Sequence, residues 1–318
     1  MKTLTLRPAE PERDFEQLAA WFSSLEDAQS TEASLREEYE KDKERIIQML
    51  AEDEQGERLG FFWAIRNKAD PGLMTFYLFV KPDQRGHGLG RRLYEDLSQA
   101  VRAGQVKKLR VSVWDSYPED RAFAERRGFT EKRHHFGMEL NLDMFDASPY
   151  DEIIARLKRE GFQFTSMEEL GNTEEAQCKL YTLNDAASAT TPGQEGEHPW
   201  ASFEDFQQSV CGSDWYKPGG QMVVIDKVTG AWAAMSAITR FEGADYAYNL
   251  FTGVDIAYRG HKLGQAVKVL ALCYARDVLK VHAVRTHHNM KNLPMIAIDQ
   301  KLGYKMLPGT FLMEKIFE

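Results

Sequence analysis

Hydrophobic and polar positions along the first half of the chain predict a mixed sheet with helices between its strands. Residues 3–8 alternate apolar and polar side chains, and apolar runs of strand length follow at 57–66, 73–81 and 108–114. Apolar positions at helical spacing predict three helices, over 14–25, 34–53 and 89–103. This order is a β-α-α-β-β core that leads into a β-α-β crossover.

The second half of the chain repeats this succession of elements. Its predicted strands are 221–226, 231–241, 244–256 and 281–287, with a closing strand pair after them. Its predicted helices are 150–162, 262–278 and 290–301. Residues 185–200 are rich in Ala, Ser, Thr, Pro and Gly and lack periodicity, so we expect a flexible surface loop near the substrate mouth of this domain.

Length and a polar turn divide the chain into two predicted domains. The 318 residues are about twice a usual domain length, which favours two cores over one. The first run of strands ends in the turn at 146–149. We therefore expect an N-terminal domain over residues 1–146 and a C-terminal domain over residues 147–318, both of the α/β class with a mixed sheet.

Matched spacings show that the two halves are copies. Arg85 precedes Gly128 by 43 residues, and Arg259 precedes Gly303 by 44. In both halves a strand ends in Val, and a glycine-containing turn with Arg follows and opens a helix. Only two copies occur, so the pattern indicates duplicated domains rather than a solenoid.

The two turns, 80–90 and 254–264, have the chemistry of an anion site. Glycines let an anion approach the main chain, and the free N–H groups and dipole of the following helix bind a pyrophosphate. Neither turn has the G-x-G-x-x-G spacing of dinucleotide-binding folds or the Lys-Ser/Thr of a P-loop. Nicotinamide and ATP chemistry are therefore disfavoured.

The first turn, with Arg85, Gly88 and Gly90, resembles the R-x-x-G-x-G/A motif by which Gcn5-related N-acetyltransferases (GNAT proteins) hold coenzyme A. The second turn matches it at Arg259 and Gly264, with Lys262 at the middle glycine. The resemblance implies two tandem GNAT acyl-coenzyme A N-acyltransferase folds. It also implies coenzyme contacts from Val80, Arg85, Gly86, His87, Gly88, Leu89, Gly90, Thr252, Gly253, Val254, Arg259, Gly260, His261, Lys262, Leu263, Gly264 and Asn292.

A second GNAT motif follows the next strand of each half. The family pattern has an Asn that contacts the pantetheine arm and a Tyr that protonates the departing thiolate. Asn292 takes the Asn position in the second half, and Asp299 stands at the Tyr position. In the first half these positions hold Tyr117 and Ala124. We therefore expect the chemistry in the C-terminal domain, with the N-terminal domain binding acetyl-coenzyme A or only supporting the fold.

Amine acetylation requires a base, since a lysine-like amine has a reference pKa of ~10.4. The family takes it from the strand before the anion-binding turn, where we expect Tyr248, with Asn249 able to hold a water. His287 and His288 are alternatives, although neighbouring strand residues point oppositely and we expect at most one to face the cleft. We expect no such role for His134 or His135.

The composition of the chain disfavours some classes of binding partner. Lys and Arg number 40 against 49 Asp and Glu, a net charge of −9 that argues against nucleic acid and favours a cationic amine. The three cysteines lack metal-ligand spacing, so no metal is expected. No apolar run reaches the ~18 residues of a membrane span, and the first residues lack a signal-peptide pattern. We expect a cytoplasmic monomer or weak homodimer.

The expected function is direct transfer of acetyl from acetyl-coenzyme A to the amine of a small molecule. A non-catalytic acetyl-coenzyme A sensor and a protein lysine acetyltransferase are the alternatives. Mycothiol synthases resemble the chain in their two-domain architecture, without a match at residues that would bind their thiol-sugar substrate.

Overall fold

The computed structural model describes residues 4–25, 30–68, 70–193 and 195–317. The chain forms two compact units, one of Met1–Arg133 with Thr310–Glu318 and the other of His134–Gly309. The predicted division after residue 146 follows the sequence repeat and stays a prediction. The two units do not coincide with the two repeats, because the last strand of each repeat joins the sheet of the other unit.

The helices and strands alternate as a mixed α/β fold requires. In the first repeat they are β1 (Thr5–Arg7), α1 (Pro11–Leu25), α2 (Glu32–Asp42), β2 (Ile46–Glu52), β3 (Arg58–Arg66), β4 (Leu73–Val80), α3 (Leu89–Ala103), β5 (Lys108–Trp114), α4 (Pro118–Glu125) and β6 (Thr130–Asn141). In the second they are α5 (Asp151–Arg159), β7 (Phe162–Ser166), α6 (Glu174–Ala189), α7 (Phe203–Phe206), β8 (Gln221–Asp226), β9 (Trp232–Thr239), β10 (Ala247–Val254), α8 (Leu263–Asp277), β11 (Ala283–Asn289), α9 (Leu293–Leu302) and β12 (Lys305–Ile316).

The first unit has a sheet in which β1 to β5 lie in chain order. Residues 310–316 of β12 complete it by pairing antiparallel with β5. Leu93 and Leu97 of α3 pack on one face of the sheet, and Phe15 and Leu18 of α1 pack on the other. The parallel pair β4 and β5, joined by α3, is the predicted β-α-β crossover.

The second unit repeats this arrangement. Strands β7, β8, β9, β10 and β11 lie in that order, and residues 135–141 of β6 pair antiparallel with β11. Val267 and Ala271 of α8 pack on one face, which also carries α5 and α9. Leu180 and Leu183 of α6 pack on the other face. Each unit is therefore completed by a strand from the end of the other sequence repeat.

The predicted helix over 34–53 is only half correct. Helix α2 ends at Asp42, and residues 46–52 form β2, which pairs antiparallel with β3. Leu50 and Ala51 are both fully buried, because β2 has apolar packing on both faces. A strand buried on both faces has a continuous apolar run, which periodicity does not distinguish from a buried helix.

Several other elements match their predictions. Helix α3 and strand β8 have the predicted bounds, and α8 differs from its prediction by one residue at each end. The predicted closing strand pair is a single strand, β12. Residues 185–189 of the predicted loop are the last turn of α6. Among the described residues, no helix is both long and apolar enough to cross a membrane.

Candidate active site

The two glycine-containing turns have the same backbone path. Each begins with a 3-10 turn, and the arginine after it has φ −67° and ψ 155° in the first copy and φ −67° and ψ 153° in the second. Arg85 Nε donates to the carbonyl of Val80 at 3.3 Å, and Arg259 Nε donates to the carbonyl of Val254 at 3.3 Å. The sequence repeat therefore preserves the shape of the turn as well as its residues.

The helix after each turn starts with open N–H groups. The residue before α3, Gly88, has φ 89°, and the residue before α8, Lys262, has φ 67°; neither helix has a side-chain cap. Uncapped first-turn amides attract anions. A Cβ at Gly86 or Gly260 would meet no atom within 4 Å, so the main chain there is open to a ligand.

Lys262 has the left-handed backbone conformation that its glycine counterpart has in the first turn. A non-glycine residue in this region costs about 1–2 kcal/mol, and glycine loses about 0.5–1 kcal/mol more entropy on folding. Lys262→Gly is therefore expected to stabilise the protein by roughly 0.5–1 kcal/mol. Thermal melts measure this, with Gly88→Lys as the matched reverse change, which is expected to destabilise. A lower melting temperature for Lys262→Gly than for the unmodified protein would show that the left-handed backbone at Lys262 is not strained.

Three other glycines of the predicted coenzyme site face packed side chains. A Cβ at Gly264 would lie 3.0 Å from Cγ2 of Val254, and one at Gly90 would lie 3.3 Å from Phe123. A Cβ at Gly253 would lie 2.7 Å from Ala187 of α6. Close packing therefore accounts for glycine at these positions, and their main chain is what remains for a ligand to contact.

A gap opens where β10 and β11 separate. The two parallel strands pair only at Ala247 with Val284 and at Tyr248 with Arg285, although β10 runs on to Val254 and β11 to Asn289. Beyond this point the edge of β10 faces a cleft, where an extended ligand is able to bind main-chain groups as an added strand does. In the first unit β4 and β5 likewise stop pairing at Thr75 with Arg110.

The cleft of the second unit gathers several residues of the predicted site. Its lining includes four residues of the predicted site: Asn249, Thr252, His288 and Asn292. The residues of the turn 259–264 are not among the lining residues and lie at the start of α8. The complete lining is His135, Thr191, Asn249, Leu250, Phe251, Thr252, Lys268, Thr286, His287, His288, Asn289, Asn292 and Met295.

One expectation about the histidines, that at most one of His287 and His288 faces the cleft, is wrong, whereas the expectation that His135 has no catalytic role stays a prediction. His287 and His288 both line the cleft, because the gap between separating strands is open to both faces of the sheet. His135 also lines it, because β6 pairs with β11 and places His135 opposite Asn289. Its distance from the anion-binding turn in the sequence gave no sign of this pairing.

Tyr248 and His287 form a polar pair at the gap. Tyr248 Oη lies 2.7 Å from His287 Nδ1. Burial raises the pKa of Tyr248, so the phenol stays protonated near neutral pH. Desolvation, together with the nearby His135 and His288, lowers the pKa of His287 even though the residue as a whole is exposed, so its imidazole stays neutral. A neutral imidazole beside a phenol is able to accept a proton.

Asn249 is held by hydrogen bonds within the sheet. Its Nδ2 donates to Ser236 Oγ at 3.0 Å and to the carbonyl of Ala237 at 2.9 Å, and its Oδ1 accepts from Thr252 Oγ1 at 3.2 Å. Its main-chain carbonyl accepts from Thr286 Oγ1 at 3.0 Å. The side chain is 2 % exposed, and this network fixes the bend of β10 beside the cleft.

A buried charged cluster lies on the other side of the gap. Lys268 Nζ is 2.5 Å from Asp299 Oδ1, and Asp299 Oδ2 is 2.7 Å from His288 Nε2. The exposed fractions of Lys268, Asp299 and His288 are 1 %, 0 % and 5 %, respectively. Lys268 was not among the predicted site residues, although a lysine among the apolar positions of α8 is a signal that the sequence carries.

No metal site accompanies these residues. In the part of the chain that the structure describes, no group of three or more His, Cys, Asp or Glu side chains is placed to hold a metal ion.

The sequence of the first repeat matches a known family. Residues 14–129 match the model of the acetyltransferase (GNAT) family. A curated relative, the mycothiol acetyltransferase of Thermobifida fusca, is 27% identical over 249 residues, which cover 75% of this chain and 73% of the relative.

Two solved structures match nearly the whole chain. A GCN5-related N-acetyltransferase from Sphaerobacter thermophilus superposes with a TM-score of 0.66 at 16% identity, covering 98% of this chain and 95% of its own. A tandem GNAT protein from the clavulanic acid biosynthesis pathway superposes with a TM-score of 0.59 at 19% identity, covering 99% and 98%. These likenesses extend the fold assignment to both repeats.

The chain therefore contains a GNAT-family domain over residues 14–129, and the fold of the whole chain is that of tandem GNAT proteins. The family match and the mycothiol acetyltransferase relative support an acyltransferase of the acetyl-coenzyme A-dependent class. The predicted α/β fold class and family are confirmed.

Proposed function

We propose that the second unit transfers acetyl from acetyl-coenzyme A directly to the amine of a small molecule. The observation that carries this proposal is the gap between β10 and β11, whose lining includes His288 and also His287, the hydrogen-bond partner of Tyr248. A thioester in this gap would have polar groups on both sides. Direct transfer needs no covalent enzyme intermediate.

The residues around the gap fit acetyl-coenzyme A. Its diphosphate would bind the open amides at the start of α8, with positive charge from Arg259 and Lys262. Its pantetheine arm would run along the unpaired edge of β10 near Thr252, with Asn292 at the start of α9. When bound, acetyl-coenzyme A supplies the activated acetyl group, and the residues named here hold and orient it.

Tyr248 and His287 would remove the proton that the amine loses. The Tyr248 hydroxyl accepts this proton while its own proton passes to Nδ1 of His287, across the 2.7 Å hydrogen bond. The neutral state of His287 near pH 7 supports this direction of transfer. Tyr248 remains the proposed contact with the amine, and Asn249 acts by shaping β10.

The pH dependence of turnover follows from His287. Its pKa is lowered, so the neutral form that accepts the proton is present at neutral pH and is lost as the pH falls through a value below 6.5. The acid limb of kcat/KM is therefore expected below pH 6.5. Rates of thiol release measured from about pH 5 to about pH 8 determine it. The same limb persisting in His287→Gln would show that another group accepts the proton.

The segment after α6 favours a small acceptor. Thr191 lines the cleft, and the carbonyl of Gly193 accepts from Asn289 Nδ2 at 3.4 Å. Arg259 Nη2 donates to Thr190 Oγ1. This segment covers one side of the cleft, which suits a small amine better than a lysine on a folded protein.

Turnover on a panel of amines tests the proposal. The panel would contain glucosamine, ethanolamine, spermidine and Nα-acetyl-lysine, each mixed with acetyl-coenzyme A while free thiol is followed. Release of thiol above the background with at least one small amine is expected. The absence of Tyr at the family's position in both repeats favours a second candidate, a non-catalytic sensor. Tight binding of acetyl-coenzyme A without thiol release, hydrolysis included, would support that sensor.

A further inference from the structure

We propose that the acceptor of the second unit is a cationic amine that carries an aromatic ring, held on a row of aromatic side chains beside Tyr248. The row consists of Trp215, Phe241 and Tyr248, and it ends at His287 in the cleft. This inference rests on the proposed function and names the class of substrate for the same site.

The rings of the row follow one another at packing distance. The ring centroid of Tyr248 lies 5.8 Å from that of His287 and 6.2 Å from that of Phe241. The centroid of Phe241 lies 6.4 Å from that of Trp215. Aromatic rings attract one another at centroid distances of about 4.5–7 Å in tilted or offset arrangements. A ligand ring placed on this row would find the same kind of contact.

The row is open to a ligand at one end and closed at the other. Phe241 is 37 % exposed, and Trp215 and Tyr248 are partly buried. The ring that follows Trp215, that of Tyr216, is only 6 % exposed and belongs to the core under α6. Apolar surface that stays open beside a reactive group is typical of a ligand site.

The sheet holds the row in place beside the proposed base. Tyr248 of β10 pairs with Thr239 of β9, so their side chains lie on the same face of the sheet. The hydroxyl of Thr239, which is fully buried, donates to the carbonyl of Trp215. Phe241 follows the end of β9 by two residues. The positions of Trp215 and Phe241 are therefore fixed relative to Tyr248.

This spacing limits the length of the acceptor. Under the proposed function the amine contacts the hydroxyl of Tyr248, while the ligand ring lies beside Phe241, whose centroid is 6.2 Å from that of Tyr248. A linker of about two carbon atoms, at roughly 1.5 Å a bond, joins the two positions. The geometry thus favours an arylalkylamine over a long polyamine.

The charges near the row suit a cationic amine. Arg285, which pairs with Tyr248 across the strands, is neutralised by Glu139 at 2.7 Å. Glu242 and Asp245 are exposed in the turn that also holds Phe241. Their carboxylates would attract a protonated amine from solvent.

The first unit shows that the fold does not need an aromatic ring at this place. Tyr248 pairs with Arg285 in the second unit, and Thr75 pairs with Arg110 in the first. Each arginine precedes by eighteen residues the glycine that follows the next helix. Thr75 therefore takes the place of Tyr248, and a role in binding the acceptor accounts for the difference.

Turnover with two amines of the same linker tests the inference. Ethanolamine and 2-phenylethylamine both carry the amine on an ethyl chain and differ in the phenyl group. Thiol release at varied amine concentration is expected to give a kcat/KM for 2-phenylethylamine higher by on the order of 10- to 100-fold, from burial of the ring. Equal values, or a higher kcat/KM for ethanolamine, glucosamine or spermidine, would overturn the aromatic acceptor.

Phe241→Ala tests whether the row supplies this preference. The ratio of the two kcat/KM values is expected to fall by about 10-fold, whereas Phe241→Tyr retains it. Val228→Ala, at the opposite end of β9, is the control: Val228 is 86 % exposed, and the ratio is expected to stay unchanged. An unchanged ratio in Phe241→Ala would overturn the row as the acceptor site. If that variant does not fold, an unchanged ratio in Trp215→Leu would do so.

The proposed function and this inference fail in different ways. Thiol release without a preference for the aromatic amine would overturn the inference and leave the proposed function in place. No thiol release by the unmodified protein with any of these amines would refute the proposed function, and the inference with it.

Discussion

Asp299→Asn alone is expected to destabilise the protein by about 3–5 kcal/mol, the usual effect of removing one partner from a buried ion pair. The change leaves the Lys268 ammonium, which is 1 % exposed, without its carboxylate at 2.5 Å. Chemical denaturation measures the free energy of unfolding. The double variant Lys268→Met with Asp299→Asn is expected to recover most of this loss, because it removes both charges.

An exposed ion pair provides the control. Arg276 and Asp277 contact each other at 2.8 Å with side-chain exposures of 38 % and 58 %. Asp277→Asn is expected to change stability by less than about 1 kcal/mol, as exposed pairs do. Equal effects of the two Asp→Asn changes would show that the Lys268–Asp299 contact is not a buried ion pair in solution.

His261→Glu is expected to lower kcat/KM for acetyl-coenzyme A by about 100-fold, which corresponds to about 2.7 kcal/mol. His261 is exposed in the turn that opens α8, and a carboxylate there would repel the diphosphate and compete for the open amides. Thiol release at varied acetyl-coenzyme A concentration measures the change. A steric clash with the protein is not the expected cause, since the side chain of residue 261 is already exposed to solvent.

The first unit offers a matched control for this change. His87 has the equivalent place in the turn before α3 and is also exposed. His87→Glu is expected to retain most of the turnover. The reverse outcome would move the active site to the first unit. Gly264→Glu is a poorer test, because its side chain would meet Val254 and disturb packing before it disturbed coenzyme binding.

The sequence predicted those parts of the fold that depend on local signals. The repeated Arg and Gly positions located the turns before α3 and α8, and their backbone angles agree closely between the copies. Strand β2 was missed because neighbouring residues such as Leu50 and Ala51 are both apolar and buried, so the strand has no alternation of apolar and polar positions. Pairing partners far apart in the sequence leave no local pattern, so the pairing of β6 with β11 was not predicted.

The candidate site was predicted in part for the same reason. Asn249, Thr252, His288 and Asn292 were named from motifs, and they do line one cleft. His135 comes from a strand whose partner the sequence does not reveal. Lys268 was not named, although a lysine among the apolar positions of α8 is a sign of a buried charge. The roles of the cleft residues in coenzyme binding and catalysis stay proposals.

A crystal structure of the protein grown with acetyl-coenzyme A tests the central claim most directly. The measured quantity is the distance from the diphosphate oxygens to the main-chain N–H groups of each turn. We expect hydrogen-bond distances to residues 259–264, with the thioester between β10 and β11. A diphosphate found only at residues 85–90, or at neither turn, would contradict the assignment of the active site to the second unit.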